Sequence, residues 1–166
     1  MMLCFDEAPR RFQYRIVAVA LHEGRVLLHQ GDDDEFWSLP GGRAEQGETS
    51  EETLVREMRE ELATDVSLVR PLWFVENFFA YQHRAVHEIA LYFLVQLHRD
   101  FPHFAPDATF RCAQPSEPFT FRWFPTDRET LAGLPLLPSF LQEEFSRLPE
   151  RLEHRVHRDD PRVWSG

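Results

Sequence analysis

Apolar positions recur along this chain with a period of two in most stretches and with a helical period in two others. Gln13 to Leu21 is rich in β-branched residues, and Arg25 to Gln30 carries Val26, Leu27 and Leu28; with the Glu23-Gly24 turn between them they predict a hairpin. Trp37 and Leu39 alternate into a short strand that stops at Pro40. Asp65 to Tyr81 and Arg84 to Leu97 predict two long strands joined near Gln82-His83, the first interrupted at Pro71. The second is apolar on both faces, with Ile89, Leu91, Phe93 and Val95 on one and Val86, Ala90, Tyr92 and Leu94 on the other. Such a strand must be covered on both sides. Phe119 to Phe124 predicts a further strand, closed by Pro125 and followed by a cap at Thr126 or Asp127.

The period changes to that of a helix after Thr49, whose hydroxyl can cap the first amides while Glu52 reaches back to complete a capping box. This helix is expected to end near Leu62, with Leu54, Val55, Met58 and Leu62 on one side. A second helix is expected from Ser139 to Leu148, framed by Pro135 and Pro138, with Phe140, Leu141, Phe145 and Leu148 inward. Between strands, His98 to Pro118 holds four prolines and little periodicity. A loop of that length is either a substrate lid, with Phe101, Phe104 or Arg111 meeting a base or ribose, or a floppy insertion.

Length and composition add bounds. A chain of 166 residues, 43% hydrophobic and 13% aromatic, fits one domain over 1–166, with 1–11 as an N-terminal extension and 150–166 as a weakly structured or surface-docked tail ending in Val163-Trp164. A net charge of −10 argues against duplex nucleic acid. All 18 basic residues are arginine, which removes Schiff-base and P-loop chemistry and leaves guanidinium forks suited to phosphate. Cys4 and Cys112 suggest neither a disulfide framework nor a zinc site, so a reducing cytoplasm is the expected home. No segment approaches a membrane span or a signal core.

The chemistry concentrates from Gly41 to Thr64. Glu57, Glu60 and Glu61 stand at i, i+3, i+4 beside the buried stripe of the first helix, where like charges repel and a cation should compensate. Oxygen ligands without His or Cys suit Mg²⁺ or Mn²⁺, which would complete its shell from a substrate phosphate. Standing alone, the same pattern would read as a solvated acidic face.

The frame decides between them. Trp37-Ser38-Leu39-Pro40-Gly41-Gly42 precedes the helix, Glu48 follows Gly42 by six residues, and Arg56-Glu57 follows by eight more. With Met58, Glu60 and Glu61 in register, this resembles the box of the Nudix hydrolase family; Ala63 departs from it where the family has glycine, and Thr64 where it has an aliphatic residue. The resemblance implies an α/β fold, an α/β/α sandwich whose central mixed sheet lies between the box helix and a C-terminal helix. It implies water attack on a phosphorus of a nucleoside diphosphate linked to another moiety. Glu57, Glu60, Glu61 and the Gly41 carbonyl would hold the metal, and Arg56, through an ion pair with Glu48, would orient the carboxylates. Homodimers are common in the family.

Two acids interrupt the later strands. Glu88 reads either as the partner of a nearby arginine or as a fourth acidic group that joins the metal site or accepts a proton, and it stands ahead of Glu76. His83 and His87 read as satisfied polar groups, and Phe78, Phe79 and Tyr81 as core or as a base-stacking surface. Asp32 to Glu35 reads as a solvated loop. A non-catalytic nucleotide sensor and a scaffold module are the alternatives to an enzyme; both would be expected to lose box carboxylates or metal dependence, and this chain keeps the carboxylates.

Overall fold

The computed structural model describes residues 1–159, so Val163 and Trp164 lie outside the described residues. Among the described residues nine strands build one mixed sheet: β1 (Cys4–Glu7), β2 (Arg10–His22), β3 (Arg25–Gly31), β4 (Gly41–Arg43), β5 (Val66–Tyr81), β6 (Arg84–Leu97), β7 (Thr109–Arg111), β8 (Phe119–Pro125) and β9 (Glu153–Arg158). The order is β7-β8-β3-β2-β6-β5-β9, with β1 and β4 also on β2. Strand β2 is the hub. It runs parallel to β6 from Arg10↔Ala85 to Ala20↔Val95, while Val17↔Gly41 and Arg15↔Arg43 bring β4 onto its other edge. β5 and β6 form the long hairpin expected, with register shifts on either side of Pro71, a residue that cannot donate to the ladder.

Period-two alternation sends the two faces of the sheet into two cores. Ile16, Ala18 and Ala20 of β2 and Phe93, Val95 and Leu97 of β6 join Leu54, Met58 and Leu62 of the first helix, α1 (Ser50–Leu62). The intervening Val17, Val19, Ala90 and Tyr92 join Trp73, Leu131, Leu136, Leu141 and Phe145 on the other side. Helices therefore cover both faces, in the sandwich anticipated.

Two expectations are corrected. The helix anticipated over 139–148 is only α3 (Leu141–Glu144), preceded by α2 (Arg128–Ala132). Phe140 at its start supplies no side-chain cap, and the Arg147 amide bonds the Glu144 carbonyl in a tightened turn ahead of Pro149, so nothing carries the helix to Leu148. The described part of the tail is neither weakly structured nor merely laid on the surface: Glu153 to Arg158 adds β9 parallel to β5, in register from Trp73↔Glu153 to Phe78↔Arg158. The N-terminal extension likewise supplies β1, paired Cys4↔Gln13 to Glu7↔Arg10. No helix among the described residues is long and apolar enough to cross a membrane.

Candidate active site

The segment leading into α1 is held by backbone geometry that only glycine fits. Gly41 has φ of +129°, and a Cβ there would stand 2.2 Å from the Ile16 carbonyl. A Cβ on Gly42 would fall 2.1 to 2.3 Å from the carboxyl atoms of Glu57, so the glycine leaves the space that this carboxylate fills. The capping box forms as anticipated: Thr49 Oγ1 accepts from the Glu52 amide at 3.2 Å, and Glu52 Oε2 from the Thr49 amide at 2.8 Å. Ala63 takes the left-handed conformation (φ 50°, ψ 35°), its amide donating to the Arg59 carbonyl, so alanine here adopts the exit that glycine would make easily.

Arg56 is the hub of the helix cluster. Its Nε and Nη2 fork onto the two oxygens of Glu48 at 2.7 and 2.9 Å, its Nη1 donates to Glu57 at 2.7 Å and to Glu60 at 3.3 Å, and Nη2 also reaches the Arg43 carbonyl. Glu48 further accepts from the Glu45 amide and the Thr53 hydroxyl, and the guanidinium beside it holds its carboxyl down at about 2. Glu48 thus ties the loop after Gly42 to the helix.

The other two carboxylates are in a different state. Glu57 and Glu61 are buried, at 9% and 4% exposure, whereas Glu60 sits at the mouth. Burial raises Glu57 above the usual carboxylate range, Arg56 only partly offsetting it. Burial pushes Glu61 up to about 8; Arg15 opposes this, while the charge of Glu57 adds to it. One oxygen of Glu61 accepts the Gly41 amide at 3.2 Å. Two adjacent buried carboxylates short of positive charge, with all-oxygen donors, fit a hard divalent ion. Arg56 stands among the helix carboxylates here, and among the described residues no His, Cys, Asp or Glu side chains converge into a ready ligand cage.

These groups open on a cavity of about 830 Å³, lined also by Arg15, His29, Asn77, Phe79, Tyr81, Glu88 and Glu117 among others. Four of these were not singled out in the sequence. Arg15 donates its Nη2 to the Leu39 and Gly41 carbonyls, both at 3.1 Å, so the Gly41 oxygen expected to face a metal already accepts from a guanidinium. The signal was a polar face on β2, where Arg11, Gln13 and Arg15 alternate with Phe12, Tyr14 and Ile16. Glu117 lies close enough to Glu61 to raise it. The amide of Ala113 bonds the Glu61 carbonyl and fastens the Glu117 loop to the end of α1. His29 is 3% exposed and burial lowers it to about 3, so it is a neutral imidazole. Asn77 is 4% exposed and follows Glu76 within the apolar run of β5.

Glu88 does reach the same cavity, but its partners are amides rather than an arginine: Gln13 Nε2 at 2.5 Å and Asn77 Nδ2 at 3.5 Å. Glu76 faces His154 outside the cavity, at 2.8 Å. Of the aromatic candidates, Phe79 and Tyr81 line the cavity, whereas Phe78 stacks on His87. The lid residues are redirected. Phe101 is core, Phe104 stacks on Trp123, and Arg111 forks onto Asp32, while Gln114, Glu117 and Pro118 from the same loop line the cavity. That pairing also makes the acidic run something other than a purely solvated loop, and Asp34 accepts the Tyr81 hydroxyl at 3.2 Å.

The NUDIX domain family model matches residues 11–140. Over 32 residues, 19% of this chain and 29% of the relative, the sequence is 50% identical to an 8-oxo-dGTP diphosphatase of Proteus vulgaris. The matched stretch spans only 25% to 38% of the length of the curated relatives. Among solved structures, an ADP-ribose pyrophosphatase from Streptococcus suis 89-1591 superposes with a TM-score of 0.56 at 24% identity, covering 87% of this chain and 98% of its own. The mutator MutT protein from Bacillus halodurans gives a TM-score of 0.59 at 21% identity, covering 91% and 92%. At these identities the structures speak to the fold.

Proposed function

The chain belongs to the NUDIX domain family, and on that premise we propose that it is a divalent-metal-dependent hydrolase that opens the diphosphate of a small nucleoside diphosphate derivative. The observation that carries this reading is the pair of buried carboxylates, Glu57 and Glu61, raised by burial at the edge of a cavity large enough for a nucleotide. Glu57, Glu60, Glu61 and the Gly41 carbonyl are the groups that would hold Mg²⁺ or Mn²⁺, the carbonyl once Arg15 gives way, with Glu117 as an added carboxylate from outside the helix. Such an ion neutralises phosphate charge and makes a water a stronger nucleophile.

The chain's own residues set the rest. Glu48 fixes Arg56, and Arg56 fixes the direction of Glu57 and Glu60. The Gly41 amide fixes Glu61. Arg15, with its Nε buried and unpartnered, brings a cationic group to the phosphate side of the wall that carries Glu57 and Glu61. As water oxygen bonds to phosphorus, the bridging P–O bond breaks and its electron pair leaves with the departing phosphate. The water proton passes to a carboxylate, and that role falls to Glu60 or Glu117, which line the cavity close enough for their charges to act on Glu57 and Glu61 respectively.

The test is a panel of nucleotide diphosphate derivatives incubated with Mg²⁺ or Mn²⁺ in ¹⁸O-labelled water, with products resolved by phosphorus NMR. Metal-dependent release with label on one product phosphate is expected. Absence of turnover across nucleotide sugars, dinucleoside polyphosphates, nucleoside triphosphates and ADP-ribose would overturn the reading.

A further inference from the structure

The sheet end of the cavity carries a polar row that the hydrolytic reading leaves without a task. Gln13, Glu88 and Asn77 are direct neighbours on β2, β6 and β5, paired Gln13↔Glu88 and Asn77↔Glu88. All three line the cavity, and Glu88 and Asn77 are each only 4% exposed. Gln13 Nε2 donates to one Glu88 oxygen and Asn77 Nδ2 to the other, which leaves each oxygen a further lone pair. Asn77 Oδ1 is buried without a hydrogen-bond partner. Turning that amide over would set its oxygen against the carboxylate, so Glu88 fixes the orientation.

A buried carboxylate is costly, and a buried carbonyl lacking a donor adds to that cost. What the row offers to the cavity is a carboxylate with an open lone pair on each oxygen and one unpartnered carbonyl, held on three strands. Along the same face of β2 it lies one step beyond Arg15, roughly 7 Å by strand rise. Phe79, two residues from Asn77 on the same face of β5, and Tyr81 with Phe36 across it (ring centroids 6.1 Å apart) flank it with flat apolar surface.

We infer that Gln13, Glu88 and Asn77 form a specificity subsite that accepts two adjacent hydrogen-bond donors on the moiety attached to the diphosphate. The shared chemistry is a donor pair, supplied either by the imino and amino groups of a guanine-type base or by the vicinal hydroxyls of a ribose. Glu88 takes the pair on its two oxygens, Asn77 Oδ1 takes a further donor, and Gln13 is a positioning residue that holds the carboxylate. The row also orients the substrate. A phosphate group meets the charge of Glu88 here and is turned toward Arg15 and the box, while the donor-bearing end is drawn in. This inference rests on the hydrolase reading for which end of the substrate meets the box.

Binding is the direct test, because it is separate from turnover. Calorimetric titration with Mg²⁺ and non-hydrolysable α,β-methylene analogues of GDP, deoxy-GDP, IDP and ADP removes the donors one class at a time. Wild-type protein is expected to favour the analogue bearing the recognised pair by tenfold or more over the one lacking it. Loss on going from GDP to IDP identifies the base edge, and loss from GDP to deoxy-GDP the ribose. Glu88→Gln should reduce that preference to within about twofold, with methylenediphosphonate affinity unchanged. Gln13→Met, at a half-buried position, should weaken the preference partly and serves if Glu88→Gln does not fold. Equal affinity for all four analogues, or Glu88→Gln that keeps its preference while losing turnover, would overturn the subsite; the latter would make Glu88 a proton acceptor and leave the hydrolase reading standing. Failure to bind any analogue, together with no turnover in the panel above, would remove both.

Discussion

The two ends of the cavity are built in opposite ways. At the helix end, carboxylates are gathered by residues close in sequence, with Glu48, Arg56, Glu57, Glu60 and Glu61 within fourteen positions and an arginine at their centre. At the sheet end, Gln13, Asn77 and Glu88 come from three distant strands, and their carboxylate is met by neutral amides. The helix end accumulates negative charge that only a cation relieves, which suits a site that must change occupancy. The sheet end has acceptors fixed in a rigid ladder, which suits discrimination between ligands. On the proposed reading, chemistry and selectivity rest on separate supports, and variants at each end should fail differently.

The largest expected effect is at the helix end. Glu57→Gln or Glu61→Gln should lower turnover about 10²-fold or more, since each deletes a ligand charge, while circular dichroism and cooperative unfolding are retained. Full activity in either variant would place the metal elsewhere. Glu117→Gln should cost about tenfold in rate and raise the metal concentration required, read from rate against Mg²⁺. A variant with wild-type metal dependence would return Glu117 to the loop's packing.

A smaller effect concerns stability. Glu61 is raised from 4.5 to about 8 in the native protein, so between those values the folded state holds a proton that the unfolded chain has lost, and stability falls as pH rises. His29 is lowered from 6.5 to about 3, so the unfolded chain holds the extra proton and stability rises with pH across that interval. The two oppose each other below about 6.5, leaving a net decline from about 6.5 to 8 of at most ~1.4 kcal/mol per pH unit for one group. Thermal unfolding of chelator-treated protein at pH 6.5, 7.2 and 8 checks it. Mg²⁺ should restore most stability at the top of the window, because ligation needs the ionised carboxylate, and Glu61→Gln should flatten the slope. A metal-free midpoint that climbs over this range contradicts the assignment. The smallest effect is Ala63→Gly, which relieves a left-handed alanine and should stabilise by about 0.5 kcal/mol in denaturant titration, with activity unchanged.

Much of the helix end was legible because its determinants are local. The Thr49 and Glu52 cap, the glycine pair before the helix and the Glu48 to Arg56 pair depend on spacings within one loop and helix, and the structure forms them as read. The two apolar faces of β6 also predicted cover on both sides. The same method read the 150–166 tail as weakly structured or docked on the surface, because Glu-His-Arg-Val-His-Arg gives no apolar face; β9 exists by backbone pairing along the edge of β5. Glu88 was noticed for its charge in a buried run, but its amide partners lie 75 and 11 residues away.

The sequence by itself determined the box helix, its N-terminal cap, the glycine pair ahead of it and the two-faced strand β6, since each follows from periods and spacings short enough for neighbouring residues to enforce. Only the tertiary structure decided that Arg15 meets the Gly41 carbonyl, that Glu117 approaches Glu61, and that Glu88 lies between Gln13 and Asn77. The contacts of Arg15 and of Glu88 depend on strand register, and a slip of one residue would turn those side chains to the opposite face of the sheet, whereas Glu117 is placed by the loop that the Ala113 amide fastens to the Glu61 carbonyl.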